Sequence, residues 1–220
     1  MIKAVIFDMD GVIVDSEPTY MDIDMLIFKE LNIDIDKEEK KTFIGKNSFD
    51  MWTEICDKYG LENKYTVKEL IKYQRKMYLE NLKSSEKLNI MNGVIAWMKY
   101  FSDNDIKMVI ASSSPKEIIE FVIERFELGD HIEAYVDGDS VRKGKPDPEI
   151  FLKAVDELGL KSEECIVIED SCNGVRAAKA AGIKCIGFKN ESSYNQDLSA
   201  ADFIIASYND ESLDKVINLL

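Results

Sequence analysis

Three short apolar runs, each cut off by a polar residue, constrain this chain more than any other feature. Ala4-Val5-Ile6-Phe7 meets Asp8, Met108-Val109-Ile110-Ala111 meets Ser112, and Cys165-Ile166-Val167-Ile168 meets Glu169-Asp170. The runs are β-branched and do not alternate with polar residues. A strand with one wet face would alternate, so these predict strands covered on both faces of a parallel sheet. Lys184-Cys185-Ile186-Gly187-Phe188, Phe203-Ile204-Ile205 and Ala134-Tyr135-Val136 predict further strands. Helical patterns fall between them. Val94 to Phe101 has helical apolar spacing. Ser114-Pro115-Lys116-Glu117 has the form of a capping box with Pro at the first helical position, opening a helix to about Phe126. Asp147-Pro148 opens another, to about Leu158 before Gly159. Two more run from about Cys172 to Ala181 and from about Ser212 to Leu219. The alternation predicts an α/β fold, a doubly wound, Rossmann-like parallel sheet.

The stretch 16–87 breaks that rhythm. It lacks a buried-strand run and reads as four helices, roughly 18–31, 36–42, 48–59 and 66–83. We expect a helical insert over 16–87, set into a core domain of 1–15 plus 88–220. Hinges are expected near Val14–Glu17 and Ser84–Leu88. Charge supports the division: the insert is nearly balanced, and the rest of the chain carries most of the net −14. Such a surface repels phosphate backbones and anionic membranes, so neither nucleic acid nor a membrane is an expected partner. The N-terminal apolar run meets Asp8 and Asp10 at once, unlike a signal peptide, and the expected compartment is cytoplasmic. A monomer is the default. The single histidine, His131, excludes multi-His metal sites.

In a parallel sheet, functional groups gather beyond the carboxyl ends of the strands. Asp8, Asp10, Ser112, Glu169 and Asp170 are expected there, joined by Lys145 from Lys143-Gly144-Lys145-Pro146-Asp147-Pro148. Four carboxylates cannot share a pocket unaided, because like charges drive some of them to bind protons. A hard cation resolves this, and oxygen ligands suit Mg²⁺. The cation and Lys145 would also attract a phosphate that the surface repels. Backbone amides at Met9–Gly11 and at the helix opening after Ser112 can complete an anion cradle, and Gly11 permits close backbone approach. Asp8 could then act as nucleophile, with Asp10 as proton donor and later base. Ser113 and Ser114 compete with Ser112 for the hydroxyl role, and Lys143 with Lys145 for the ammonium.

In these residues the chain resembles the haloacid dehalogenase superfamily, specifically its β-phosphoglucomutase-like group with a helical cap. The match lies in Phe7-Asp8-Met9-Asp10-Gly11-Val12, Val109-Ile110-Ala111-Ser112, Gly144-Lys145-Pro146-Asp147-Pro148 and Ile168-Glu169-Asp170-Ser171 with Asn173-Gly174. The resemblance implies Asp8 as nucleophile and Asp10 as general acid/base. It implies Mg²⁺ held by Asp8, the Asp10 carbonyl and Asp170, with Glu169 acting through water. Ser112 and Lys145, with Met9, Gly11 and Ser113, would bind phosphate, and the cap would hinge over the site. Tyr20 stands where the mutases of the group carry a His, and Phe43-Ile44-Gly45-Lys46-Asn47-Ser48 has no Arg for a distal phosphate. Tyr20, Lys46, Asn47 and Lys76 are candidate cap contacts to substrate. Phe49, Trp52, Tyr73 and Tyr78 read as cap core. The implied activity is a Mg²⁺-dependent phosphatase of small phosphorylated metabolites, sugar phosphates foremost, working through an aspartyl phosphate. The alternatives are a phosphosugar mutase of the β-phosphoglucomutase type and a phospho-accepting signalling module.

Overall fold

The computed structural model describes residues 1–43, 48–193 and 196–218. They divide into two compact units, Met1–Asp15 with Asn89–Leu220, and Ser16–Leu88.

The first unit is built on a six-stranded sheet whose recorded pairs are all parallel. Its strands are β1 (Ala4–Phe7), β4 (Lys107–Ala111), β5 (Ala134–Val136), β6 (Cys165–Glu169), β7 (Lys184–Phe188) and β8 (Phe203–Ile205), in the order β5-β4-β1-β6-β7-β8. Every apolar run singled out in the sequence is one of these strands. The order reverses beside β1, so the chain winds outward in both directions from the centre. Helices lead into four of the strands: α5 (Val94–Asp103) into β4, α6 (Lys116–Arg125) into β5, α7 (Glu149–Glu157) into β6 and α8 (Cys172–Ala180) into β7, with α9 (Asp210–Ile217) after β8. Ala4, Ile6, Val109, Ala111 and Val167 pack with Ile150, Phe151 and Val175 from α7 and α8. Phe7 points the other way, to Phe101 of α5, with ring centroids 6.4 Å apart. Burial on both faces is why β1 and the interiors of β4, β6 and β7 are apolar.

Two details depart from the sequence reading. Val14–Asp15, the first residues of the stretch Val14–Glu17 expected as a hinge, form a strand (β2) pairing antiparallel with Asn89–Ile90 (β3), and the units divide just after it, between Asp15 and Ser16. Two-residue strands are too short to leave a periodicity. The expected capping box before α6 is also absent. Pro115 occupies the N-cap position with extended backbone, not the first helical position, and no side chain caps the helix.

The second unit packs α1 (Glu17–Glu30), α2 (Lys37–Lys41), α3 (Ser48–Tyr59) and α4 (Val67–Leu82). A capping box joins Thr66 and Glu69 at the start of α4. Trp52 and Phe28 meet edge to face at 5.9 Å in the core. Phe49 corrects the expected aromatic core: it is 57% exposed. Tyr73 donates to Glu30. The core also encloses a polar network. Asp24, wholly buried, faces the Lys40 ammonium at 2.9 Å. Its Oδ1 accepts from Gln74 at 2.8 Å and from the Tyr78 hydroxyl at 2.7 Å. The Gln74 carbonyl oxygen takes the Trp52 indole N–H at 3.0 Å.

Candidate active site

The sheet register builds the site. Phe7 lies level with Ile110 on one side and Ile168 on the other. One residue further along, Ala111, Asp8 and Glu169 therefore stand side by side at the carboxyl ends of β4, β1 and β6. The Lys145 ammonium closes over that row. It donates to Asp8 Oδ1 at 2.6 Å, to Glu169 Oε1 at 2.7 Å and to the Ala111 carbonyl at 3.3 Å. An ammonium has three N–H bonds, and three acceptors meet them here. Lys145 is the lysine at the site. Lys143 lies exposed, opposite Asp147 at 3.8 Å.

Charge in this row is lopsided. Burial pushes the Asp8 carboxyl up to about 7; Lys145 opposes that rise, while Glu169 and Asp10 add to it. Burial by itself would lower the Lys145 pKa, but Asp8 and Glu169 outweigh it and hold the ammonium charged. Glu169 is otherwise engaged. Its Oε2 takes the Ser171 N–H at 2.6 Å and the Ser171 hydroxyl at 2.9 Å.

The next turn carries Asp10. Met9 is buried, and its carbonyl accepts from the amides of Val12, Ile13 and Val14, which folds the chain back tightly. Gly11 has φ +79°, and a Cβ there would sit 2.0 Å from Asp170 Oδ2. Its lack of a side chain makes room for the Asp170 carboxylate. The expected use of the Gly11 amide as an anion donor needs correction: that N–H closes the turn by donating to the Val14 carbonyl at 2.8 Å. Gly174 likewise makes room for a carboxylate, since a Cβ there would lie 1.7 Å from Glu169 Oε1.

Asp10 Oδ2 accepts from the Ser114 hydroxyl at 2.7 Å, and the buried Ser112 hydroxyl lies 3.5 Å away. Ser112 Oγ in turn accepts the Ser114 N–H at 3.0 Å. Ser113 lies exposed between them. Ser112 thus stands beside Asp10, and so does Ser114, read both as the start of a capping box and as a competitor for the hydroxyl role. Two residues without any sequence signal hold the Asp10 turn from far along the chain. Asn190 donates to the Gly11 carbonyl at 3.1 Å, and the Tyr208 hydroxyl to the Val12 carbonyl at 3.0 Å.

The candidate contacts in the helical unit fare differently. Tyr20 stacks on Tyr78, centroids 4.4 Å apart. Lys76 is exposed and faces Glu80 at 3.8 Å. Lys46 and Asn47 lie outside the described residues.

The donor set can be tested against a divalent cation. Among the described residues, no three acidic, histidine or cysteine side chains already stand in metal-ligating geometry. The expected ligands are two carboxylates and a backbone carbonyl, a set that does not need three side chains. Asp8 and Asp170 are both buried, at 6% and 8% exposure, and all the donors are hard oxygens. The row holds more carboxylate than ammonium. These residues fit Mg²⁺.

A doubly wound α/β protein with carboxylates, hydroxyls and one ammonium converging at the carboxyl edge of its central strands is the class defined so far. The chain belongs to the haloacid dehalogenase-like hydrolases, whose family model matches residues 5–188. It is an enzyme of that class. It is 31% identical to a phosphorylated carbohydrates phosphatase of Thermotoga maritima, over 84% of this chain and 83% of that protein. It is 29% identical to a β-phosphoglucomutase of Bacillus subtilis, over 96% and 92%. The structure of β-phosphoglucomutase from Clostridium difficile superimposes with a TM-score of 0.82 at 23% identity, covering 99% of this chain and 98% of that one. No helix among the described residues is long and apolar enough to cross a membrane.

Proposed function

We propose that this enzyme is a Mg²⁺-dependent phosphatase of small phosphorylated metabolites, sugar phosphates foremost, working through an aspartyl phosphate on Asp8. The observation that carries the reading is the Lys145 ammonium bridging Asp8 and Glu169 within 2.7 Å at the mouth of the sheet. A buried carboxylate beside one fixed cation is poised to meet a phosphoryl group. Similarity to the carbohydrate phosphatase of Thermotoga maritima points the substrate class toward sugar phosphates.

In this mechanism Lys145 and the Ser112 hydroxyl hold the phosphoryl oxygens. An Asp8 carboxylate oxygen attacks phosphorus, the bond to the ester oxygen breaks, and Asp10 gives its proton to the departing alkoxide. Asp10, now ionised, takes a proton from water as the water oxygen attacks phosphorus, which frees phosphate and restores Asp8. Asp8, Asp170 and the Asp10 carbonyl would hold Mg²⁺, with Glu169 reaching it through water. When bound, the ion would supply positive charge against the developing negative charge of the transferring group. The helical unit is the proposed cap that excludes water and selects substrate.

Hydrolysis is preferred to isomerisation because Tyr20, in place of the mutases' His, stacks on Tyr78. The test is a panel of sugar phosphates assayed for released phosphate with Mg²⁺ and with a chelator. Release with Mg²⁺, at least about a hundredfold slower after chelation, is expected. No release from any ester overturns the phosphatase reading. Isomerised β-glucose 1-phosphate without free phosphate, in the presence of a bisphosphate activator, would establish the mutase instead.

A further inference from the structure

Ser114 lies one residue before Pro115, the N-cap residue of α6, and no side chain caps that helix. The Ser114 hydroxyl donates instead to Asp10 Oδ2 at 2.7 Å. The Ser114 backbone is pinned at two points: its N–H donates to Ser112 Oγ at 3.0 Å, and its carbonyl accepts the Gly138 N–H at 3.0 Å. Gly138 is closely fitted as well, since a Cβ there would lie 2.2 Å from the Ser113 carbonyl oxygen. A hydroxyl on so constrained a backbone can fix the direction of the side chain it meets.

We infer that Ser114 is a positioning residue that aims the Asp10 carboxyl at the leaving-group oxygen. This rests on the proposed acid/base role of Asp10. The Ser114 hydroxyl touches neither the phosphoryl group nor the nucleophile in this account. It holds Oδ2 of Asp10, so that the other carboxyl oxygen faces the departing alkoxide and carries the proton to it. In the second half-reaction the same hold keeps that oxygen toward the attacking water. Ser112 cannot replace it, because its own hydroxyl lies 3.5 Å from Asp10, at the limit of a hydrogen bond.

The distinguishing feature of such a role is its dependence on the leaving group. A departing 4-nitrophenolate needs little proton donation, whereas a departing 4-methoxyphenolate needs more. A residue that merely supported the fold would slow both equally. The experiment measures kcat and KM for a series of substituted phenyl phosphates, from 4-nitro to 4-methoxy, in the parent enzyme, Ser114→Ala, Ser114→Thr and Asp10→Ala. For Ser114→Ala we expect a loss in kcat of about tenfold on 4-methoxyphenyl phosphate and about twofold on 4-nitrophenyl phosphate, with KM nearly unchanged. Ser114→Thr retains the hydroxyl and restores the parent slope. Asp10→Ala, which removes the acid itself, gives a steeper dependence, with losses of about 10²–10⁴-fold on the poorest leaving group. A loss in Ser114→Ala that is uniform across the series, while Asp10→Ala stays steep, overturns the positioning role and leaves the acid/base reading standing. A flat series in Asp10→Ala overturns both.

Discussion

Lys40 in the helical unit and Lys145 in the sheet unit are both buried ammonium groups facing carboxylates at under 3 Å. Their side chains are 6% and 7% exposed. Around Lys40 the charges balance. One carboxylate, Asp24, meets one ammonium, and its other oxygen is held by Gln74 and Tyr78. Around Lys145 they do not. Asp8 and Glu169 share one ammonium, with Asp10 and Asp170 on the same loops, and Asp8 is driven up to about 7. The balanced network is a finished piece of structure. In the proposed function, a cation offsets the surplus carboxylate of the unbalanced one. A buried ion pair therefore says little about function until its charges are counted.

The largest expected effect sharpens that contrast. Asp8→Asn keeps the shape of the side chain and removes the proposed nucleophile. Turnover should fall by at least about 10⁴-fold while the circular dichroism spectrum stays that of the parent. Phosphate release above about one per cent of the parent rate would put Asp8 on a par with Asp24, as a structural carboxylate.

The helical network should respond in stability. Lys40→Met leaves Asp24 buried opposite a thioether, and breaking such a pair costs about 3–5 kcal/mol. Urea unfolding checks this, and adding Asp24→Asn to the same chain should recover much of the loss. A cost below about 1 kcal/mol would mean that water reaches Asp24 once Lys40 is gone, and the network would not be sealed.

Much of the sheet unit was legible in the sequence, for one physical reason. A strand covered on both faces must be apolar throughout, and a residue at its carboxyl end must turn polar. Asp8, Ser112 and Glu169-Asp170 announce themselves that way. The helices of the insert were legible from apolar spacing. What stayed hidden depended on partners distant in the chain. Nothing local in Ser114-Pro115 says that the hydroxyl will meet Asp10, 104 residues earlier. Asn190 and Tyr208 hold the Gly11–Val12 turn from 179 and 196 residues away. The Asp24–Lys40 pair was equally silent, because charged residues on a helix are ordinarily read as its wet face. Gly174 was visible only as part of a motif; the reason for it, the Glu169 carboxylate at 1.7 Å from a would-be Cβ, needs coordinates.

The smallest of these effects tests the contrast by titration in the presence of a chelator. The folded pKa of Asp8, about 7, lies above its ordinary value of 3.8. Between those values the folded chain keeps a proton that the unfolded chain has lost. Stability should therefore fall as pH rises through this window, and the cost of ionising Asp8 is complete above about pH 7. Asp8→Asn has no proton to lose at this position. Its stability relative to the parent should rise by up to about 2–3 kcal/mol between pH 5 and pH 8, read from urea midpoints at several pH values. Mg²⁺ should narrow the gap at pH 8 by stabilising the ionised parent more than the Asn variant. A gap that does not change with pH would mean that Lys145 keeps Asp8 ionised throughout. The two buried lysines would then sit in equally balanced surroundings, and the charge count would no longer separate the site from the scaffold.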